Sequence, residues 1–397
     1  MEKRANAKET IQEKEGKRNV LLLGITSFIN DFSSEMVMPI LPMFLASLGA
    51  SPVFIGLIGG VRDALTNVLK LLFGHYSDNI GKRMPFIYAG YINSAIWKIA
   101  LAFSTSAWFA LAAVSLERLG KGIRDAPRDA MIGQLMPKKT GAGFGLHQAL
   151  DTGGALLGSI VVAVVMLLMQ VDYWVIIAAA GSLTFLTVIP LLAVREPKFR
   201  PRNNNFNLSE IKNAIPPHLA LFIAISSVFA LANFSYMFFI MKAQLTEGPV
   251  IPILLYILFN FSFALLSYPI GKYADKVGKR SVLMAGYLLF ALVSLGFALG
   301  TSLAFYIPLF IIYGISFATV SGTQKAYASD MAPKELKGTA IGTFQMITGL
   351  IAIPAGLIAG TIWESFAPEY TFYFGFAAAT IAALMLVLVM PPEKQEH

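Results

Sequence analysis

The sequence predicts an all-α integral membrane protein of about twelve transmembrane helices. Three observations predict this fold class: the composition, the recurrence of apolar stretches, and the placement of Lys and Arg. Of the 397 residues, 56% are hydrophobic and only 14% are charged, whereas soluble domains are about 25% charged. Because so few charges cannot coat a water-soluble surface of this size, most of the surface must face lipid.

The apolar stretches each approach the length of about 20 residues that crosses the hydrocarbon core of a bilayer. The first six predicted spans are 20–47, 53–76, 84–104, 107–132, 143–169 and 173–194, and the last six are 216–242, 249–273, 281–300, 302–328, 339–362 and 370–390. We expect two pseudo-symmetric six-helix bundles. The predicted divisions are a tail at 1–18, bundles at 19–194 and 216–390, a linker at 195–215 and a tail at 391–397.

Lys and Arg are confined to alternate loops. They occur in the N-terminal tail, after the second, fourth, eighth and tenth spans and in the linker, whereas 48–52, 104–107 and 363–370 contain none. The positive-inside rule therefore places both termini in the cytoplasm and requires an even number of spans. This sidedness explains the net charge of +8 without nucleic acid. We expect a monomeric, multi-pass plasma-membrane protein.

Neither a metal site nor a cofactor is predicted. Cysteine is absent, and the four histidines, His75, His147, His218 and His397, lack the spacing of metal ligands. The first 18 residues are polar and charged, which is unlike a cleavable signal peptide. We interpret them as a solvated cytoplasmic arm.

An internal repeat relates the two halves. The segment GHYSDNIGKR, from Gly74 to Arg83, returns as GKYADKVGKR, from Gly271 to Arg280, at an offset of 197. A second repeated segment aligns Met136-Pro137-Lys138 with Ala332-Pro333-Lys334, and Gln148 with Gln345. Parallel repeats of six helices are typical of one class of secondary transporters.

These motifs resemble those of the major facilitator superfamily. The first copy is similar to its loop 2–3 motif, the second to its loop 8–9 partner, and the run from Arg118 to Gly122 (RLGKG) to its motif in the fourth helix. The resemblance implies the fold of that superfamily and transport by alternating access. It assigns gating to Gly74, Asp78, Gly81, Lys82, Arg83, Gly271, Asp275, Gly278 and Arg280, with Asp125, Arg128 and Asp129 as possible latch partners of Arg83.

One departure concerns the fifth span. Proton antiporters of the superfamily often carry Gly-x-x-x-Gly-Pro there, but this chain has Ser159 after Gly154 and Gly158. The departure weakens the inference of drug–proton antiport, and the glycines alone are also explained by close helix packing.

Charges inside the spans mark candidate functional residues, because each costs roughly 2.5–3.5 kcal/mol near the bilayer centre. We expect them to face a wet cavity or each other. The cavity candidates are Arg62, Asp63, Lys98, Glu117, Arg118, Lys121, His147 and Gln148 in the first half, and Asn233, Tyr236, Tyr256, Asn260, Tyr313 and Gln324 in the second.

Asp31, Glu35 and Asp151 are the candidates for proton coupling. Asp31 and Glu35 lie one turn apart on one face of the first span. A carboxylate that alternates between a wet and a dry environment can take up and release a proton. The alternative is a structural ion pair of Asp31 or Glu35 with Arg62 or Lys98, which would leave coupling to Asp151 or Glu117.

The sequence thus favours a secondary active transporter of a small molecule, coupled to protons and directed to drug or metabolite efflux. Alternatives within this fold are transport of a small organic anion, bound by Arg62, Arg118 or Lys121, or of a metal ion. No Walker motif is present, so ATP is not the direct energy source. A membrane-embedded enzyme lacks a catalytic constellation of Ser, His and Asp, and a channel would not need paired gating motifs.

Overall fold

The computed structural model describes residues 2–136, 140–169, 171–197, 212–333 and 336–390, with side chains from residue 14 onward and without that of residue 140. We number the long helical spans in chain order. In the first half they are α1 (Glu2–Val37), α2 (Pro52–Ile80), α3 (Met84–Ala102), α4 (Ala107–Leu135), α5 (Thr140–Met169) and α6 (Tyr173–Leu192). In the second half they are α7 (Pro217–Glu247), α8 (Ile251–Val277), α9 (Lys279–Leu299), α10 (Leu303–Met331), α11 (Lys337–Ser365) and α12 (Pro368–Leu388).

Ten of these helices, within the described residues, are long and apolar enough to cross a membrane. The other two, α3 and α4, have 19 and 29 residues and are long enough, but both carry polar or charged side chains. These two helices pack against each other and α4 also packs on α2, so their charged faces are covered by protein.

Caps fix several helix ends. Ser51 and Ser106 accept hydrogen bonds from the backbone N–H of the third residue of α2 and α4, at 3.4 and 3.3 Å. Gly81 and Gly278 end α2 and α8 with φ of 69° and 96°, a conformation that glycine adopts without strain. The two copies of the repeated motif therefore each end a helix at a glycine with positive φ, although ψ differs, at 21° for Gly81 and 132° for Gly278.

Two spans are interrupted. The first span is continued after the end of α1 at Val37 by a short helix, Leu41–Ser47. The seventh span, α7, consists of two helices, Pro217–Ala232 and Met237–Glu247. The two breaks meet, because the Tyr236 hydroxyl donates to the carbonyl oxygen of Met38 at 3.0 Å. Discontinuous helices at matching places in two repeats often mark the substrate site of a transporter.

Most helix packing lies within a half: α1 on α5, α3 on α4 and α6, α8 on α10, and α9 on α10 and α12. The main contact between the halves is α2 on α11, with a smaller one of α5 on α8. The α2–α11 contact needs glycine, since a Cβ on Gly56 would lie 2.1 Å from the carbonyl oxygen of Gly356, and the reverse distance is the same. This packing leaves space between the halves for a site.

Candidate functional site

Two cavities contain candidate residues. The larger cavity has a volume of about 220 Å³ and lies between α2 and the second half. Its lining combines amides, hydroxyls and phenyl rings with one charged side chain, Lys325. The lining residues are Asn67, Phe229, Asn233, Phe290, Ser316, Phe317, Val320, Ser321, Gln324, Lys325, Phe344, Gln345 and Thr348. Such a mixture of rings and hydrogen-bonding groups suits a small organic molecule.

A pair of carboxyl groups lies in the first half. Asp31 of α1 and Asp151 of α5 are within hydrogen-bonding reach of each other. Asp31 also accepts a hydrogen bond from Asn30 at 2.8 Å, and Asp151 accepts one from Ser27 at 2.5 Å. The Ser27 hydroxyl in turn accepts from Arg128 of α4 at 3.3 Å, so the carboxyl pair is linked to the charges of α4.

The charges on the second part of α4 are mostly paired. Asp125 forms ion pairs with Lys70 at 2.9 Å and with Arg128 at 3.5 Å, and Arg128 also pairs with Asp129 at 2.9 Å. In this conformation Asp125 pairs with Lys70 of α2 and Arg83 pairs with Asp78, so the latch between Arg83 and the charges of α4 stays a prediction.

Arg124 holds α4 against α3. It donates to the carbonyl oxygen of Gly90 at 3.3 Å and to Ser94 at 2.6 Å, and its guanidinium stacks 4.3 Å from the centre of the Tyr91 ring. A Cβ on Gly90 would collide with the Arg124 side chain at 2.5 Å. This arginine therefore satisfies its charge within the helix packing.

Glu35 connects the two halves. Its carboxylate accepts hydrogen bonds from Asn260 of α8 at 3.3 Å and from Ser159 of α5 at 3.5 Å. Tyr256 of α8 is also within hydrogen-bonding reach. Glu35 lies one turn beyond Asp31, so the carboxyl pair and a contact between the halves share one helix face.

A smaller cavity of about 20 Å³ lies next to the break in α1. Arg62, Lys98, Arg118 and Glu117 contribute the charged part of its lining, and the rest is Ser34, Val37, Met38, Leu41, Leu101 and Val114. Arg118 pairs with Glu117 at 3.0 Å. Arg62 donates to the hydroxyl of Tyr236 at 3.2 Å, so a residue of the second half contributes to this site.

The repeated motifs join neighbouring helices. Asp78 pairs with the Arg83 side chain at 2.7 Å. Glu196 lies at the start of α3, where its carboxylate accepts the backbone N–H groups of Arg83 and Met84. The linker therefore supplies the carboxylate at the N-terminus of α3, and Asp78 neutralises the Arg83 side chain.

In the second copy, Lys279 bridges Asp275 at 3.4 Å and Asp330 of α10 at 2.8 Å. Arg280 donates to the carbonyl oxygens of Leu386 and Val387 at the end of α12, at 3.0 and 2.7 Å. Each copy of the motif therefore ties helix ends within its own half through these contacts.

The predicted cavity residues are thus divided among several places. Asn233 and Gln324 line the larger cavity, whereas Arg62, Lys98, Glu117 and Arg118 line the smaller one. Lys121 is in electrostatic range of Asp31, and Asp63 is in electrostatic range of Arg62, but neither residue lines either cavity. Tyr256 and Tyr313 both pack against the ring of Phe259. Gln148 is exposed and donates to Thr152. His147 is buried, and its Nε2 has no hydrogen-bond partner.

Five polar residues of the larger cavity escaped the sequence analysis as site residues: Asn67, Ser316, Ser321, Gln345 and Thr348. The repeat carried a signal for two of them. Gln345 was already the counterpart of Gln148, and the same offset of 197 makes Thr348 the counterpart of Asp151. The site of the second half therefore includes uncharged equivalents of residues in the first half.

Comparison with known proteins identifies the family. The sequence profile described as Major Facilitator Superfamily matches residues 23–355 and 220–397. An uncharacterised MFS-type transporter of Methanocaldococcus jannaschii is 46% identical over 390 residues, which cover 96% of this chain and 97% of that protein. The chain belongs to the major facilitator superfamily. Membership confirms the predicted all-α, twelve-helix fold, and it indicates a transporter, not an enzyme.

More distant members agree with this assignment. The multidrug resistance protein MdtH of Shigella dysenteriae is 22% identical over 329 residues, 80% of this chain and 79% of MdtH. The crystal structure of the nucleoside transporter NupG matches with a TM-score of 0.78 at 15% identity, covering 93% of this chain and 98% of NupG. At this identity the likeness to NupG shows the superfamily fold alone.

Proposed function

We propose that the protein is a proton-coupled secondary transporter that exports a small organic molecule by alternating access. The observation that carries this proposal is the contact between the Asp31 and Asp151 carboxyl groups inside the first half. Two ionised carboxylates within hydrogen-bonding reach of each other would repel, whereas a single proton shared between them makes the contact favourable.

Release of that proton needs a compensating cation. Lys121 and Arg128 of α4 are basic groups in electrostatic range of Asp31 and Asp151, respectively. A small shift of α4 relative to α1 and α5 would exchange the carboxyl–carboxyl contact for an ion pair. Proton release would then depend on the conformation of the helices, which is what coupling requires.

Glu35 provides the link from this pair to the movement of the halves. Its hydrogen bond with Asn260 joins α1 to α8, and it lies one turn from Asp31. A change of charge at Asp31 therefore alters the electrostatic environment of a contact that must break when the halves rock apart.

Two further observations support the direction of transport and the orientation in the membrane. MdtH, a relative over about four-fifths of the chain, is named for drug resistance, which is a consequence of export. The Lys and Arg residues lie in alternate loops, which supports cytoplasmic termini.

Infrared spectroscopy of the purified protein tests the shared proton without a known substrate. We expect a carbonyl stretching band of a protonated carboxylic acid that shrinks as the pH is raised. Asp31→Asn and Asp151→Asn should each remove this band, whereas Asp172→Asn, an exposed carboxylate in the loop before α6, should not. A band that survives in both site variants would contradict the assignment.

Transport in liposomes tests coupling itself. With a pH-sensitive dye enclosed, a panel of small organic molecules should include substrates whose movement drives proton movement. Asp31→Asn should abolish gradient-driven accumulation and leave substrate exchange measurable. If Asp31→Asn and Asp151→Asn both kept full accumulation, these carboxylates would be structural.

A further inference from the structure

Two buried cations in the described part of the chain have no carboxylate oxygen within 4.0 Å. Arg62 of α2 is 9% exposed and Lys98 of α3 is 3% exposed. Arg62 donates to the Tyr236 hydroxyl, and its Nε has no hydrogen-bond partner. Lys98 donates only to hydroxyls, those of Ser33, Ser34 and Thr184 at 2.9–3.1 Å.

Other buried cations of the same chain are paired. Arg118 contacts Glu117, and Lys242 of α7, with 4% of its side chain exposed, contacts Glu369 of α12. An unpaired charge inside a membrane protein is costly, because hydroxyl dipoles replace only part of its hydration. The unpaired state of Arg62 and Lys98 therefore indicates that their counter-charge is supplied from outside the chain.

Both cations line the smaller cavity. Its lining has three basic side chains, Arg62, Lys98 and Arg118, against one carboxylate, Glu117, which Arg118 already engages. The other nearby carboxylates, Glu35 and Asp63, lie outside the lining: the first accepts from Asn260, and the second is exposed. The cavity is therefore positively charged with apolar walls.

We propose that this cavity binds the anionic group, a carboxylate or a phosphate, of the transported molecule. Arg62 offers guanidinium N–H groups and Lys98 an ammonium, which are the donors that such oxyanions prefer. The proposal rests on the proposed transport function for its physiological meaning, but it concerns equilibrium binding, which needs no proton gradient.

The geometry limits how much of the molecule enters. A cavity of about 20 Å³ holds one water-sized group, so in this conformation it admits a single oxygen of the anionic group, and it must widen to take the whole group. The next turn of α2 leads toward the larger cavity, since Asn67, which lines it, donates to the carbonyl oxygen of Asp63 at 3.0 Å. The uncharged body of the molecule would occupy that cavity.

Thermal unfolding in a non-ionic detergent tests the proposal, with anionic lipid excluded. We use benzoate and inorganic phosphate as probes, with benzamide and benzylamine as neutral and cationic analogues of benzoate. We expect benzoate or phosphate to raise the unfolding temperature in a saturable manner, and the analogues to have no effect. A wild-type protein that responds to neither anion would overturn the proposal.

Variants then locate the site. Arg62→Gln and Lys98→Gln should weaken the apparent affinity for the anion by about tenfold or more, as expected for the loss of one charged hydrogen bond. Lys242→Gln is the matched control, because it removes an equally buried lysine that has Glu369 as its partner. Equal responses of all three variants would place the anion elsewhere.

The absence of cysteine allows a second measurement that keeps every charge in place. Val37→Cys introduces a thiol on the cavity wall, and benzoate, unlike benzamide, should slow its modification by a thiol reagent. Equal rates with and without benzoate would overturn the proposal. Failure of the infrared test together with success here would reject proton coupling and keep the anion site.

Discussion

At the scale of single residues, Glu196 shows how a polar linker fixes a helix end. Its carboxylate accepts the backbone N–H groups of Arg83 and Met84, and a carboxylate at a helix N-terminus satisfies unpaired donors and opposes the helix dipole. We expect Glu196→Ala to lower the free energy of unfolding by about 0.5–2 kcal/mol. Chemical unfolding of the purified protein measures this change.

The control for that variant is Glu15→Ala. Glu15 pairs with Arg195 at 3.5 Å on the exposed surface, where ion pairs contribute little. A loss of stability no greater for Glu196→Ala than for Glu15→Ala would show that the cap is dispensable.

The sequence predicted which charged residues deserve interest, but it did not predict their partners. Asp31, Arg62 and Lys98 could be singled out because a charge contrasts with an apolar span. Their partners could not, since these depend on how each helix is rotated about its axis. Glu196 lies in a polar linker, where a carboxylate is not unusual and gives no signal in the sequence. Its role as the cap of α3 is therefore visible only in the folded chain.

At the scale of helices, the α2–α11 contact depends on small residues facing each other. Gly56→Ala should destabilise this conformation by about 1–3 kcal/mol, because the new methyl group meets the backbone of Gly356 and cannot be accommodated by a side-chain movement. Thermal unfolding measures the effect on the folded protein.

Gly271→Ala is the matched control. This glycine is also within a helix, α8, but a Cβ there would meet nothing within 4 Å. Replacing a helical glycine by alanine in open space favours the helix by up to about 1 kcal/mol, so this variant should be neutral or stabilised. If both variants behaved alike, the glycine contact would not determine the packing.

The spans themselves followed from the sequence because a stretch of about twenty apolar residues has few alternatives to a membrane helix. The interruption of α7 between Ala232 and Met237 did not follow. The four residues at the break, 233–236, include no proline or glycine that would mark it, and the break is stabilised by contacts such as that of Tyr236 with Met38 and Arg62. These contacts come from the other half of the chain, beyond the reach of local patterns.

At the scale of the whole molecule, the two halves are variations of one design. An offset of 196 relates Gly90 to Gly286, Tyr91 to Tyr287, and Arg128 to Gln324. In the second half Gln324 donates to the Tyr287 hydroxyl at 2.8 Å. In the first half Arg128 is in electrostatic range of Tyr91, but the Tyr91 hydroxyl has no hydrogen-bond partner in the described residues. The sequence repeat in the loops could predict this symmetry, and the residue types show that the first half keeps the charges, but the partner of each charge could not be predicted.

The same offset relates Asp129 of α4 to Lys325 of α10, and this leads to a prediction about the movement of the halves. Residues related by the pseudo-twofold axis lie across it from each other, and these two have opposite charge. They are within electrostatic range, although Asp129 pairs with Arg128 in this conformation. We expect a direct Asp129–Lys325 ion pair to form when the halves approach on the side of the chain ends.

A charge-reversal cycle tests this ion pair. With the background Ser321→Cys, a thiol in the larger cavity reports how open that cavity is to a water-soluble reagent. Asp129→Lys and Lys325→Asp should each speed its modification, because like charges then hold the halves apart, and the double reversal should restore the slow rate. A coupling of about 0.5–3 kcal/mol is expected between directly interacting residues.

The control for the cycle is Lys279→Asp, which reverses a charge paired with Asp330 inside the second half. It should leave the modification rate of the cavity thiol unchanged, because α9 and α10 move together. Additive effects of the two reversals, with no recovery in the double variant, would mean that Asp129 and Lys325 act through separate partners. Recovery would instead show that the one pair of opposite charges on equivalent positions of α4 and α10 closes the cavity.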